Sequence, residues 1–278
     1  MRVVKTKLEM VRACHDAARP LGLVPTMGAL HDGHLTLVRQ AREENKTLAV
    51  TIFINPTQFS PQEDLAQYPR DLDRDLGLLR EGGADLVFVP PVEEIYPPGF
   101  DTWVQVGALA ERLEGANRPG HFRGVATVLT KLFNMVGPDR AYFGQKDGQQ
   151  TVVVRKLARD MDMGLEIVVV PTVRDADGLA LSSRNVYLTP EERRAAPVVY
   201  RALCRAQELR SQGVGDCDRL RAEVKQLLLE ERLVGQVEYV SVAGAEDLEE
   251  LTEIKGPVMV SVAVRLGKTR LIDNIILE

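Results

Sequence analysis

Leu21-Gly22-Leu23-Val24-Pro25-Thr26-Met27-Gly28-Ala29-Leu30-His31-Asp32-Gly33-His34 decides how this chain is read. The apolar run 21–24 has the length and composition of a buried strand, and the H-x-G-H tetrad that follows six residues later opens a helix near His34. A strand, a glycine-bearing turn and a helix start together suit a phosphate. Gly28 and Gly33 let backbone approach an anion with no Cβ in the way, and the helix offers free N–H groups and its positive dipole end. Imidazoles add donors whose hydrogen bonds strengthen as charge builds on a transferring group. Taken alone, the tetrad equally fits a helix cap or a decorated surface loop.

Outward from that stretch, apolar β-branched runs at residues 48–54, 86–89, 140–143 and 165–170 alternate with helical patterns. Leu72, Leu76 and Leu79 repeat at helical spacing, as do Val125, Val128, Leu129, Leu132 and Phe133, and such stripes are core faces. This alternation predicts an α/β fold: a Rossmann-like parallel sheet with helices on both faces, over residues 1–173. The remainder reads differently. Thr189-Pro190-Glu191-Glu192 supplies an N-cap, a first-turn proline and a capping-box Glu, so one long helix is predicted from Pro190 toward Gly213. A second helix follows Asp218, and three strand-like runs (237–242, 258–264, 269–277) come without crossover helices between them. Residues 174–278 therefore form a smaller α+β domain, with the boundary in the Pro and Asp-Gly turn chemistry of residues 171–177.

Ligands of open parallel sheets bind beyond the carboxyl ends of the strands, so the segments following each predicted strand carry the functional reading. They are 25–34, then Asn55-Pro56-Thr57-Gln58-Phe59, then Gly144-Gln145-Lys146-Asp147-Gly148-Gln149-Gln150, then Pro171-Thr172-Val173-Arg174. Lys146 between glycines suits a mobile charge on a polyphosphate, against the plain alternative of a solvated loop lysine. Gln58 and Gln150 each offer an amide donor and acceptor for a hydroxy acid, although isolated glutamines are commonly surface residues. Leu181-Ser182-Ser183-Arg184-Asn185 joins two hydroxyls to a guanidinium able to fork onto phosphate, or forms a polar interdomain linker. Asn117 to Gly124 clusters two arginines with His121 and receives no role. Asp71, Asp73 and Asp75 suit Mg²⁺ or a solvated helix face, and no metal ligand is assigned.

Bulk properties narrow the classes. A net charge of −5 over 278 residues provides no broad basic surface, so nucleic acid is disfavoured as a partner and a small-molecule substrate is expected. Cys14, Cys204 and Cys217 are odd in number and widely spaced, which fits reduced thiols in place of a disulfide framework or zinc site. No signal peptide or membrane-length apolar run is visible, and a cytoplasmic location follows as the default. Neither G-x-x-x-x-G-K-[ST] nor a strand-borne G-x-G-x-x-G occurs, so neither standard nucleotide fingerprint supports a rival site. An H-x-G-H loop on such a sheet points to adenylyl or nucleotidylyl transfer.

Five ordered motifs, at residues 25–34, 53–59, 121–125, 143–150 and 181–185, together with Asp273-Asn274, resemble the pantoate-β-alanine ligase (pantothenate synthetase) family of the HxGH nucleotidylyltransferase-like superfamily, over essentially the whole chain. The resemblance implies a two-step reaction. ATP and (R)-pantoate give pantoyl adenylate and pyrophosphate; the amine of β-alanine then displaces AMP to form pantothenate. It further implies Mg²⁺, a homodimer, and a lid and interface role for residues 174–278. By likeness, Met27, Gly28, Ala29, Leu30, His31, Asp32, Gly33 and His34 line the ATP site, as do Gly144, Gln145, Lys146, Asp147, Val173, Leu181, Ser182, Ser183 and Arg184. His34 matches a proton donor, and His31 and Lys146 complete the catalytic set. Gln58 and Gln150 match pantoate contacts, with Gln58 also at β-alanine. Three positions depart from the family pattern: Gln145 where Glu is common, Gly148 where an aromatic is common, and Arg74 within the acidic series.

Two other classes remain open from the sequence: a nucleotidylyltransferase that keeps the nucleotide on its product, and a non-catalytic nucleotide-binding module. Release of free AMP with an amide separates the ligase from the first. Pantoate-dependent pyrophosphate exchange separates it from the second.

Overall fold

Parallel strands cannot be joined by tight turns and need long crossovers, which helices supply in this chain. A computed structural model describes every residue except Gln62. The elements run β1 (Arg2–Val4), α1 (Lys7–His15), β2 (Leu21–Thr26), α2 (Asp32–Glu44), β3 (Thr47–Ile52), α3 (Leu72–Glu81), β4 (Leu86–Phe88), α4 (Val92–Ile95), α5 (Glu114–Asn117), α6 (His121–Val136), β5 (Arg140–Gly144), α7 (Gly148–Asp160), β6 (Glu166–Val170), α8 (Pro190–Ala195), α9 (Val198–Ser211), α10 (Cys217–Glu230), β7 (Val234–Gly244), β8 (Val258–Leu266) and β9 (Thr269–Leu277). Short 3₁₀ turns at Pro56–Gln58, Gln145–Asp147 and Ser183–Tyr187 follow β3, β5 and β6.

The chain divides into two compact units, the first of residues 1–144 and 153–170, the second of residues 145–152 and 171–278. In the first, six strands form a parallel sheet in the order β1-β4-β3-β2-β5-β6. From β2 the chain steps outward through β3 to β4, then resumes on the other side with β5 and β6, so the order reverses between β2 and β5. That switch point is where open α/β sheets expose their ligand crevice. β2 is sealed almost end to end because it lies inside the sheet. Val24, Leu48, Val50 and Val87 meet Leu37, Val38 and Ala41 of α2 and Leu79 of α3 in one core cluster. Each of these Val and Leu side chains contributes roughly 1.5–3 kcal/mol by leaving water.

In the second unit, β7-β8-β9 is an antiparallel sheet against which α9 and α10 pack. Ala202, Leu203 and Ala206 of α9 and Leu220 and Val224 of α10 share a core with Val242 of β7 and Val260, Val262 and Val264 of β8. Both fold classes thus match the sequence-based expectation. Among the described residues no helix is long and apolar enough to cross a membrane, and Cys14, Cys204 and Cys217 are all free.

The predicted helix from Pro190 toward Gly213 is two helices, α8 and α9. Pro197 has no N–H to give the carbonyl four residues earlier, and its ring crowds that carbonyl, so the helix breaks there. The Thr189 cap survives as predicted: its side chain accepts from Glu192 N–H while Glu192 returns the bond to Thr189 N–H. The boundary also differs from one cut at 173/174, because residues 145–152 group with the second unit. Asn274 of β9 bonds to the Gln145 and Lys146 carbonyls, which fastens that short stretch to the C-terminal sheet. β1 and α1, absent from the predicted elements, add a three-residue edge strand on β4 and a helix capped by Thr6 and Glu9.

Candidate active site

The residues after β2 are shaped by short-range bonding. Gly28 has φ of +67°, and a Cβ there would lie 2.7 Å from Asp75 Oδ2, so both conformation and space require glycine. Asp75 of α3, 1% exposed, accepts the Leu30 N–H at 2.7 Å, and Arg74 Nη1 donates to the Leu30 carbonyl at 2.9 Å. Burial raises the Asp75 carboxyl above its ordinary range, opposed by the Leu30 N–H and by Arg74. Arg74, the departure in the acidic series, therefore holds the backbone just before the histidines, while Asp71 caps α3 by accepting from Arg74 N–H.

His31 is the N-cap of α2. Its Nδ1 accepts from Gly33 N–H at 3.1 Å, and His34 Nδ1 accepts from His31 N–H at 3.4 Å, an imidazole version of the capping box. The rings are 4.1 Å apart between centroids. The cap and phosphate readings of the tetrad thus describe different ring atoms. Nδ1 serves as acceptor in both rings, so the hydrogen-bond network assigns the proton of each neutral imidazole to Nε2, where it is a donor. α2 begins two residues earlier than His34, at Asp32, so both imidazoles lie at its first turn.

After β3, Asn55 (1% exposed) organises the 56–58 turn. Its Oδ1 accepts from Thr57 Oγ1 at 2.9 Å and Tyr96 hydroxyl at 2.9 Å, and its Nδ2 donates to Gln58 Oε1 at 3.1 Å. Gln58 Nε2 reaches Met27 Sδ at 2.9 Å, so two of the sequence-predicted residues meet. The Gln58 carbonyl is held from the other side by α6. Arg118 Nη1 donates to His121 Nε2 at 3.1 Å, which leaves Nδ1–H of His121 to donate to Gln58 O at 2.8 Å. Arg118 also pairs twice with Glu63, at 2.7 and 2.9 Å. Burial and the Arg118 cation push His121 down to about 4, so it is neutral at pH 7. Gly124 is where α6 touches this turn: a Cβ would stand 2.3 Å from Thr57 O.

In the second unit, Gln145, Lys146 and Asp147 form the turn between β5 and α7. Lys146 Nζ lies 3.4 Å from Asp147 Oδ1. Gln145 Nε2 donates to Asn274 Oδ1 at 2.7 Å, while Asn274 Nδ2 donates to the Gln145 and Lys146 carbonyls, each at 2.9 Å. Gln150 is half-buried on α7. Val173 and Leu181 are brought together by Leu181 N–H donating to Val173 O at 3.0 Å. Ser182 caps the next turn by accepting Arg184 N–H, and Ser183 and Arg184 are half-buried within it. Arg174 grips Asp273 through both carboxyl oxygens and stacks 3.8 Å from the Tyr200 ring centroid.

Sequence reasoning singled out H-x-G-H, Gln58 and Lys146 but gave no role to Asn55, Asp75, Arg118, His121 or Asn274. The arginine and histidine cluster at 118–123 was visible as a cluster. That its target is a backbone carbonyl 63 residues away from His121 was not.

The family model for pantoate-beta-alanine ligase matches residues 2–276. A pantothenate synthetase of Herpetosiphon aurantiacus is 56% identical over 278 residues, covering all of both chains. One from Chloroflexus aggregans is 58% identical over 276 residues, covering 99% of each. Among solved structures, pantothenate synthetase from Thermus thermophilus superposes with a TM-score of 0.95 at 49% identity, covering 99% of both chains. A pantoate-beta-alanine ligase from Francisella tularensis, crystallised with beta-gamma ATP and beta-alanine, superposes with a TM-score of 0.81 at 32% identity over 99% of this chain and 97% of that one. With the motifs, the two folds and these full-length matches in agreement, the chain belongs to the pantoate-beta-alanine ligase family.

Proposed function

We propose that this chain joins (R)-pantoate to β-alanine in two steps, using ATP and forming pantoyl adenylate. In the first, a pantoate carboxylate oxygen attacks the α-phosphorus and pyrophosphate leaves. In the second, the β-alanine nitrogen attacks the acyl carbon, the C–O bond to AMP breaks, and the amine loses its proton as the amide forms. Neither step requires a covalent bond to the protein.

The observation that carries this reading is the doubly capped start of α2, where two imidazoles spend Nδ1 on backbone N–H groups and keep Nε2–H as donor. Donors fixed before the reaction cost no reorganisation when charge builds on the α-phosphoryl oxygens. Adding a proton at Nδ1 of His34 would set N–H against N–H and break the cap. His34 therefore acts as the donor through Nε2. Met27, Gly28, Ala29, Leu30, Asp32 and Gly33 shape the backbone approach to ATP, with Gly144, Gln145, Asp147, Val173, Leu181, Ser182 and Ser183 as further ATP contacts. Lys146 and Arg184 carry charge against the leaving pyrophosphate, Lys146 as a point charge and Arg184 as a fork. Gln58 and Gln150 select pantoate, and Gln58 also serves β-alanine.

Among the described residues no three His, Cys, Asp or Glu side chains converge on a point. Mg²⁺ needs no such cage when it arrives on ATP, because it keeps several waters and is held largely by phosphates. We therefore read it as part of the MgATP substrate.

Purified protein supplied with MgATP, (R)-pantoate and β-alanine should yield pantothenate and AMP in equal amounts. Without β-alanine it should exchange labelled pyrophosphate into ATP only when pantoate is present. Pyrophosphate release with the nucleotide retained on the product, or exchange independent of pantoate, would refute the assignment.

A further inference from the structure

Lys146 sits in a turn whose backbone is bound by a residue far along the chain. Asn274 of β9 is 3% exposed, and all of its amide chemistry is directed at that turn. Its two amide hydrogens go to the carbonyls of Gln145 and Lys146, and its oxygen receives the Gln145 side chain. We infer that Asn274 is a positioning residue for Lys146, fixing the backbone from which the ammonium reaches ATP; this rests on the reading that Lys146 contacts ATP.

Three features make the arrangement specific. With both Nδ2 hydrogens committed to carbonyls, Oδ1 needs a donor, and Gln145 supplies one where a Glu carboxylate would present a second acceptor. Gly148, at the start of α7, makes room for Asn274: a Cβ there would lie 2.8 Å from Met259 Sδ and 2.9 Å from Asn274 Cγ and Nδ2. In this chain the glycine leaves the space that Asn274 and Met259 occupy. Finally, Asn274 is itself anchored, because its N–H donates to Asp273 Oδ1 at 2.8 Å and Asp273 is clamped by Arg174. A lysine side chain has many rotamers, and a fixed backbone removes the largest source of positional spread for its charge.

The test is a double-mutant cycle read in the KM for MgATP and in pantoate-dependent pyrophosphate exchange. Asn274→Ala should raise the ATP KM roughly tenfold, the scale of losing a pair of buried hydrogen bonds, and leave the β-alanine KM unchanged. Lys146→Ala/Asn274→Ala should lose no more than Lys146→Ala alone, to within about twofold, because an interaction routed through Lys146 cannot be lost twice. Asn274→Asp, which keeps the shape and reverses the donors, should fail as Ala does. Gly148→Ala, which leaves Asn274 chemically intact but displaces it, should reproduce the ATP defect, and it carries the test if Asn274→Ala does not fold. Additive losses in the cycle, or a native ATP KM in folded Asn274→Ala or in Gly148→Ala, would overturn the inference. A native ATP KM and kcat in Lys146→Ala would instead overturn the role given to Lys146 itself.

Discussion

The H-x-G-H tetrad and the Lys146 turn both follow a parallel strand and are both proposed as ATP contacts, but they are held in opposite ways. His31 and His34 take part in bonds spanning two and three residues, so the start of α2 is shaped locally. Gln145 and Lys146 are held by Asn274, 129 and 128 residues away. The first arrangement needs α2 to form, with Asp75 and Arg74 of α3 holding only the backbone that leads into it. The second exists only when β9 is in place, so its precision depends on the stability of a different part of the fold.

Substitution at the self-contained segment should give the largest loss. His34→Ala removes one fixed donor and should lower kcat by about 10²- to 10³-fold. It should cost only about 1 kcal/mol of stability, the usual scale of a lost cap. Steady-state kinetics beside urea unfolding checks both halves. Near-native turnover would remove His34 from the mechanism, and a large stability loss would show that the segment is not self-contained.

The Gln58 turn lies between the extremes, being shaped locally by Asn55 and at long range by His121. His121 is held neutral, its pKa depressed to about 4 by burial and Arg118 against about 6.5 for an unfolded histidine, with Glu63 and Glu114 opposing the shift. The unfolded chain therefore takes up the proton first on acidification. Stability from this residue is complete above about pH 6.5 and is lost as pH falls toward 4, by an amount on the order of 3 kcal/mol. Urea unfolding of the native protein and His121→Gln across that range should show a steeper acid loss for the native chain. Parallel curves would contradict the assignment. Gly124→Ala attacks the same turn sterically and should cost about 1–3 kcal/mol, since its Cβ meets backbone that cannot rotate away. A neutral effect on unfolding would mean that α6 does not press on the turn as the geometry requires.

The mildest test bears on the Lys146 turn. Gln145→Glu keeps both Asn274-to-carbonyl bonds and removes only the donor to Asn274 Oδ1, so the ATP KM should rise less than about fivefold, half-way in effect between native and Asn274→Ala. A loss as large as that of Asn274→Ala would shift the positioning role from the backbone contacts to the Gln145 side chain.

Strands β2 to β9 were legible because each contains a run rich in apolar, β-branched residues. β1 was not, since three residues, two of them exposed, carry no period. The helix break at Pro197 had a signal in the chain, and the strong Thr189 cap outweighed it in the reading. The capping alternative for H-x-G-H was also legible, and it coexists with the phosphate reading because an imidazole has two nitrogens.

By itself the sequence determined what is built from neighbours: the strand, the Gly28 turn, the capped start of α2, and the ordered motifs that mark the family. Helical periodicity, turn conformation and caps are interactions over a few residues, and their cause is printed beside them. Only the tertiary structure decided that Asp75 receives the Leu30 N–H, that His121 holds the Gln58 carbonyl, and that Asn274 holds Lys146. Those are hydrogen bonds across 45, 63 and 128 residues, and a polar residue at one end says nothing about which backbone group the fold will bring to it.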